Sequence, residues 1–123
     1  MDTSLPVLVV DDSQTIRHII SDQLRSLGFT DIDQAEDGAA GLNSLNQKQY
    51  GLVLSDWEMQ PMSGEEFLKM LRQHAKHRKV PVILITGTTT RGTSLLAGAD
   101  AYLAKPFKPQ DLETAIKRVF VKK

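Results

Sequence analysis

Asp11, Asp12, Asp56, Thr86 and Lys105 are the residues whose types and places suit chemistry at one shared site. Asp11 and Asp12 follow the apolar run Leu5–Val10, and Asp56 follows Leu52-Val53-Leu54-Ser55. Thr86 follows Val80–Ile85, and Lys105 follows Ala101–Ala104. Singly, each has an ordinary explanation: an acid before a helix caps it, and a Thr or Lys after a strand is a loop residue. Four apolar runs ending in acid, acid, hydroxyl and ammonium are better explained by a common site. Three carboxylates in one cleft oppose one another's ionisation unless a cation neutralises them. Their hard oxygens suit Mg²⁺, which often binds through one or two carboxylates plus a phosphoryl oxygen. A carboxylate can act as nucleophile, and a hydroxyl and an ammonium can hold the oxygens of the group transferred. The set therefore suits phosphoryl transfer to an aspartate.

The elements that must bring these residues together read as five strand–helix units. Leu5–Val10 is a short, continuous apolar run, as expected of a strand buried on both faces. Asp11-Asp12-Ser13 offers N-caps to a helix carrying Ile16, Ile19, Ile20, Leu24 and Leu27, closed by Gly28 at C′. Thr30–Ala35 is a more polar, edge-type strand, followed by a helix over Asp37–Asn46. Leu52–Leu54 ends at Ser55-Asp56, and a loop with Pro61 and Gly64 leads to a helix bearing Phe67, Leu68, Met70 and Leu71. Val80–Ile85 is the fourth strand, with Pro81 near its start. A short helix ends at Gly98, Ala101–Ala104 is the fifth strand, and a last helix runs from about Pro109 to Val121. Strict alternation with short connections means a parallel α/β sheet. Five units are too few for an eight-unit barrel, which leaves a doubly wound five-stranded sheet of order 2-1-3-4-5. Its site lies beyond the carboxyl ends of the strands, at the switch point between strands one and three.

At 123 residues one domain, 1–123, is expected. No apolar run approaches the ~20 residues of a membrane span, and Met1-Asp2-Thr3-Ser4 lacks the build of a signal peptide. No cysteine is present, which excludes disulfides, thiol catalysis and zinc ribbons. A cytoplasmic protein is the expectation. The zero net charge hides a division: residues 1–66 hold twelve acids and three bases, residues 67–123 twelve bases and three acids. The first half supplies the anionic cluster and the second a cationic surface for a partner, with solvated helix faces of different sign as the plainer alternative.

The segments Val9-Val10-Asp11-Asp12-Ser13, Ala35-Glu36-Asp37-Gly38, Leu54-Ser55-Asp56-Trp57-Glu58-Met59, Ile85-Thr86-Gly87 and Ala101–Phe107 carry a family likeness. Over about residues 5–121 the chain resembles the receiver domains of two-component response regulators, in particular the single-domain chemotaxis regulators, with their flavodoxin-like fold. The resemblance implies that Asp56 is the phosphoacceptor, that Asp12 binds Mg²⁺ directly and Asp11 through water, and that the Glu58 backbone carbonyl completes the protein's ligands. It implies that Thr86 and Lys105 hold the phosphoryl group and that Tyr102 is the switch aromatic. A histidine kinase is then the phosphodonor. The face made by the fourth helix, the fifth strand and the last helix then changes to control a protein partner. Such a chain is a signalling protein rather than an enzyme, with at most self-phosphorylation and self-dephosphorylation. A monomer that binds neither nucleic acid nor membrane is expected, and a cis Lys105-Pro106 bond.

The chain departs from the pattern in three places. Gln60 stands where the family usually has proline, with Pro61 one later. Glu58 is an acid where the chemotaxis regulators have an amide. Eleven residues separate Thr86 from Gly98, about three fewer than expected, so the fourth helix is shortened. Two other classes remain: a small aspartyl-phosphate phosphohydrolase, for which Asp56-x-Glu58 is a distant motif, and a pseudo-receiver that no longer uses phosphate. His74 and His77, three apart amid Lys76, Arg78 and Lys79, read as a solvated cationic helix end rather than a metal pair.

Overall fold

The computed structural model describes residues 2–74, 76–77, 79–87 and 98–121. Five parallel strands, β1 (Val7–Val10), β2 (Ile32–Ala35), β3 (Leu52–Asp56), β4 (Val82–Thr86) and β5 (Ala101–Ala104), form one sheet in the order β2-β1-β3-β4-β5. The described helices are α1 (Gln14–Ser26), α2 (Gly38–Gln47), α3 (Gly64–Gln73) and the last helix, here α4 (Pro109–Val121). The short helix expected before Gly98 falls on residues 88–97, outside the described residues, as do Arg78, Arg91, Lys122 and Lys123.

The continuous apolar runs are explained by two cores, one on each face of the sheet. Side chains alternate along a strand. Val7, Val9, Leu52, Leu54, Ile83 and Ile85 pack with Ile20 and Leu24 of α1 and Leu112 and Ile116 of α4. Leu8, Val10, Val53, Val82 and Leu84 pack with Leu45 of α2 and Phe67, Leu68 and Leu71 of α3. Phe67 is fully buried, so truncation to Ala would cost about 3–5 kcal/mol. β2 is mostly half-exposed, as its polar composition indicated.

Helix starts follow local chemistry. Ser13 Oγ accepts from Ile16 N–H at 3.3 Å, Asp37 Oδ1 from Ala40 N–H at 2.8 Å, and Ser63 with Glu66 forms a capping box. Gly28 ends α1 at φ 107°, where a side chain would be strained. Strand starts differ from the sequence reading because of proline. β1 begins at Val7, not Leu5, since Pro6 has no N–H to donate, although its carbonyl accepts from Gly51 N–H at 2.9 Å. β4 begins at Val82, because Pro81 lacks a donor and Val80 N–H turns to His77 O at 3.1 Å. It extends one residue further than expected, to Thr86, because Lys105 N–H bonds the Thr86 carbonyl at 2.8 Å.

Ile19 and Met70, at helical spacing with core residues, are about half exposed. Ile19 borders an apolar groove of about 300 Å³ shared with Ile16, Pro106 and Phe107. His77 corrects the expectation of a solvated pair: its ring is buried and stacks on the exposed His74 ring, centroids 4.4 Å apart. Among the described residues no helix is long and apolar enough to cross a membrane.

Candidate functional site

The carboxyl ends of β1, β3, β4 and β5 bring Asp11, Asp12, Asp56, Thr86 and Lys105 to one edge of the sheet. Asp11 leaves β1 with its N–H still bonded to the Ala35 carbonyl of β2, at 3.1 Å. Its carboxylate is almost wholly buried; Oδ1 accepts from Ser13 N–H at 2.9 Å, while Oδ2 is buried with no hydrogen-bond partner. Asp12, one residue on, is exposed. Asp56 is the last residue of β3, paired in register with Ile85 of β4. Oxygens of Asp11, Asp12 and Asp56 lie within 4.8 Å of one another.

Lys105 follows β5 and crosses the end of β4 to place Nζ 3.0 Å from Asp56 Oδ1. The Glu58 backbone N–H also helps hold the Asp56 carboxyl down against the effect of burial. Thr86 ends β4 fully buried, with Oγ1 unpaired. Tyr102 sits half-buried within β5, opposite Leu84. The Lys105-Pro106 bond is cis as expected; Gln60-Pro61 is cis as well, in the loop where the proline is displaced.

Electrostatics agree with a site built for a cation. Burial pushes the Asp11 carboxyl up to about 6, against the Ser13 hydrogen bond that lowers it, and the neighbouring Asp56 charge adds to the rise. Burial also raises Asp56, with Lys105 opposing. A hard divalent cation fits this donor set: three clustered carboxylates, one with an orphaned buried oxygen. Beside them, Asp12, Trp57, Glu58, Met59, Gln60 and Ser63 line an open groove of about 570 Å³. The Glu58 carboxylate is exposed there, and the ion pair made by Lys105 is with Asp56 rather than with Glu58.

Two positioning residues have no obvious mark in the sequence. Gly64 opens α3 by donating to the Trp57 carbonyl at 2.8 Å, and a Cβ on it would run into the Asp56 carbonyl oxygen and Trp57 Cα. The loop after Asp56 is thus folded against the α3 N-terminus, a closeness only glycine permits. Arg17, one turn into α1, donates through Nη1 to the Asp11 carbonyl at 2.6 Å and through Nε to Gln34 Oε1 at 3.1 Å. Its spacing from the acids was visible, but not that it folds back onto their backbone.

A parallel five-stranded α/β protein with an acidic cleft, a buried hydroxyl and a lysine at its switch-point edge is the class that fold and site define. Residues 7–117 match the family described as response regulator receiver domain, and the chain belongs to that family. It is 34% identical over 119 residues to the chemotaxis protein CheY of Pseudomonas aeruginosa, covering 94% of this chain and 96% of that one. It is 32% identical to chemotaxis protein CheY-3 of Vibrio cholerae, covering 98% of this chain and 95% of the other. Among solved structures it is similar to the receiver domain of sensor histidine kinase PA1611 from Pseudomonas aeruginosa, with TM-score 0.86 and 29% identity. That match covers 96% of this chain and 98% of that domain, which holds a magnesium ion coordinated in its active site cleft.

Proposed function

We propose that this chain is a single receiver domain of a two-component pathway, of the kind used in chemotaxis, and that it acts as a phosphorylated signalling protein in the cytoplasm. Asp56 is the phosphoacceptor: the bond from a histidine kinase's imidazole nitrogen to phosphorus breaks as a bond from an Asp56 carboxylate oxygen forms. The observation that carries this reading is Lys105 Nζ 3.0 Å from Asp56 Oδ1, in a carboxylate cluster with Asp11 and Asp12, with Asp11 Oδ2 and, at the end of the neighbouring β4, Thr86 Oγ1 buried and unpaired. Buried polar atoms are rarely left unpaired, and each has a role here. Asp11 Oδ2 faces the need for a cation; Thr86 Oγ1 has a donor for a phosphoryl oxygen.

Asp11, Asp12, Asp56 and the Glu58 carbonyl would hold Mg²⁺, which, when bound, neutralises charge on the carboxylates and on the phosphoryl group. Lys105, already on Asp56, holds a second phosphoryl oxygen. A Thr86 hydroxyl drawn to a third leaves room that Tyr102 takes up, and the face of β5 and α4 changes for a protein partner. No turnover of other substrates is required; self-phosphorylation and self-dephosphorylation suffice.

The test is incubation with acetyl phosphate, with and without Mg²⁺, followed by mass measurement of wild type and Asp56→Asn. One added phosphoryl group, dependent on Mg²⁺ and lost in Asp56→Asn, is expected. Undiminished labelling of that variant overturns the assignment, absence of labelling and of Mg²⁺ binding identifies a pseudo-receiver, and rapid turnover of a generic phosphate ester a phosphohydrolase.

A further inference from the structure

The peptide bond between Asp11 and Asp12 joins the two acids of β1's end, and its carbonyl oxygen is the one Arg17 holds. At the end of a parallel strand this carbonyl has left the sheet's ladder, because the chain turns away into α1. A part-buried carbonyl there needs another donor. Arg17 Nη1 supplies it at 2.6 Å, a short charge-assisted bond, while Nε reaches Gln34 Oε1 on β2 at 3.1 Å. Arg17 is itself fixed, since its backbone N–H bonds Ser13 O at 3.0 Å in the first turn of α1. The guanidinium fork thus ties three elements together through one peptide plane.

Rotation of that plane would re-aim both flanking side chains, since Asp11 lies on one side of it and Asp12 on the other. Ser13 N–H on Asp11 Oδ1 at 2.9 Å fixes the carboxylate to the next residue, but that bond moves with the loop and cannot hold it against β2. Asp11 N–H on the Ala35 carbonyl ties the preceding peptide plane to β2, whereas among the described residues the Asp11–Asp12 plane is tied to β2 through Arg17 and Gln34. We propose that Arg17 is a positioning residue for the cation site: it locks the Asp11–Asp12 peptide plane and so presents both carboxylates together. This rests on the cation reading above. A residue that orients metal-binding groups without touching the metal commonly changes affinity by 10- to 100-fold.

The experiment compares wild type, Arg17→Gln, Arg17→Lys and Gln34→Ala at a temperature where all are folded. It records Mg²⁺ affinity from Trp57 fluorescence, and amide hydrogen exchange at residues 11–13 in cation-free protein by NMR. Arg17→Gln is expected to weaken Mg²⁺ about tenfold or more and to speed exchange at Asp12 and Ser13. Arg17→Lys should fall between, since an ammonium can donate to the carbonyl but lacks the rigid fork that also reaches Gln34. Gln34→Ala, which leaves the carbonyl bond, should change affinity least. A merely structural role would lower melting temperature with affinity and exchange unchanged, and that result overturns the proposal. If Arg17→Gln does not fold, equal affinities for Arg17→Lys and wild type overturn it. If wild type itself ignores Mg²⁺, the cation reading fails, and the amide exchange of cation-free protein alone decides the clamp.

Discussion

Lys105 Nζ lies 3.0 Å from Asp56 Oδ1 although their strands are not neighbours: β4 stands between β5 and β3. Two backbone bonds make the reach possible. Lys105 N–H is fastened to the Thr86 carbonyl at 2.8 Å, and Trp57 N–H to the Ile85 carbonyl at 2.8 Å, so both loops leave the sheet from the end of β4. The ammonium therefore occupies one oxygen of the carboxylate proposed as phosphoacceptor, and on that proposal it stands where a transferred group's charge would develop.

Removing Lys105 should consequently separate cation binding from transfer. In Lys105→Ala the carboxylate cluster loses a competing positive charge, so Mg²⁺ affinity should stay the same or rise. The labelling rate with acetyl phosphate at saturating Mg²⁺ should fall at least about tenfold, a loss of about 1.4 kcal/mol of transition-state stabilisation. Equal labelling rates for variant and wild type would show the ammonium to be a bystander.

The chain's single Trp reports on the cation. Trp57 follows Asp56 and lines the same groove as Asp12 and Glu58, so Mg²⁺ should quench or shift its fluorescence. Asp12→Ala should weaken that response by about tenfold or more, the effect of losing one carboxylate ligand. Glu58→Gln removes only an exposed charge nearby; its effect should be about twofold at low salt and vanish near 0.5 M salt, where screening is strong. A response identical in Asp12→Ala would place the cation elsewhere.

The strand ends were legible because parallel strands buried on both faces are written as apolar runs, and the polar residue stopping each run is conspicuous. Asp11, Asp56, Thr86 and Lys105 fell out of that rule, and sheet order followed from the alternation of elements. Long-range side-chain returns were not legible. Arg17 looked like any base on a helix, and only the fold shows its guanidinium on the Asp11 carbonyl. His77 looked solvated because its neighbours are basic, yet tertiary packing covers its ring. Proline moved the starts of β1 and β4 inward, a local effect that apolar composition overrode in the reading.

A second cluster, remote from the cleft, gives a pH prediction. Tyr50 O–H donates to Asp33 Oδ2 at 2.6 Å, and Lys48 Nζ bridges Asp31 and Asp33 at 2.7 and 3.1 Å. Burial, then the Asp33 bond, pushes the Tyr50 phenol up to about 12, and that bond holds Asp33 below the usual carboxylate range. The raised phenol contributes stability in full below its unfolded value of about 10, lost as pH rises from there through about 12. The lowered Asp33 contributes above its unfolded value and fades as pH falls through its folded one. Absorbance at the tyrosinate band should show Tyr50 ionising late, and Asp33→Asn should bring that step to lower pH. An unmoved titration would mean the hydrogen bond is absent in solution.

The basic surface supplies the last test. Lys108, Lys117 and Arg118 are exposed on and before α4, with Lys117 paired only loosely to Glu113 at 3.5 Å. Arg91, Lys122 and Lys123, which belong to the same basic half of the sequence, lie outside the described residues. Such a face attracts an acidic protein segment, and the attraction should weaken as salt screens it. The proposed partner should bind the beryllofluoride-loaded protein more tightly than the unloaded one. Lys117→Glu with Arg118→Glu should reduce that binding about tenfold or more, since two attractive charges become repulsive. Asp56 labelling should not change, because neither side chain belongs to the cleft. Binding measured by calorimetry across a salt series checks both halves. Affinity that survives the charge reversal and ignores ionic strength would make the acid–base division of the chain a matter of solvation alone.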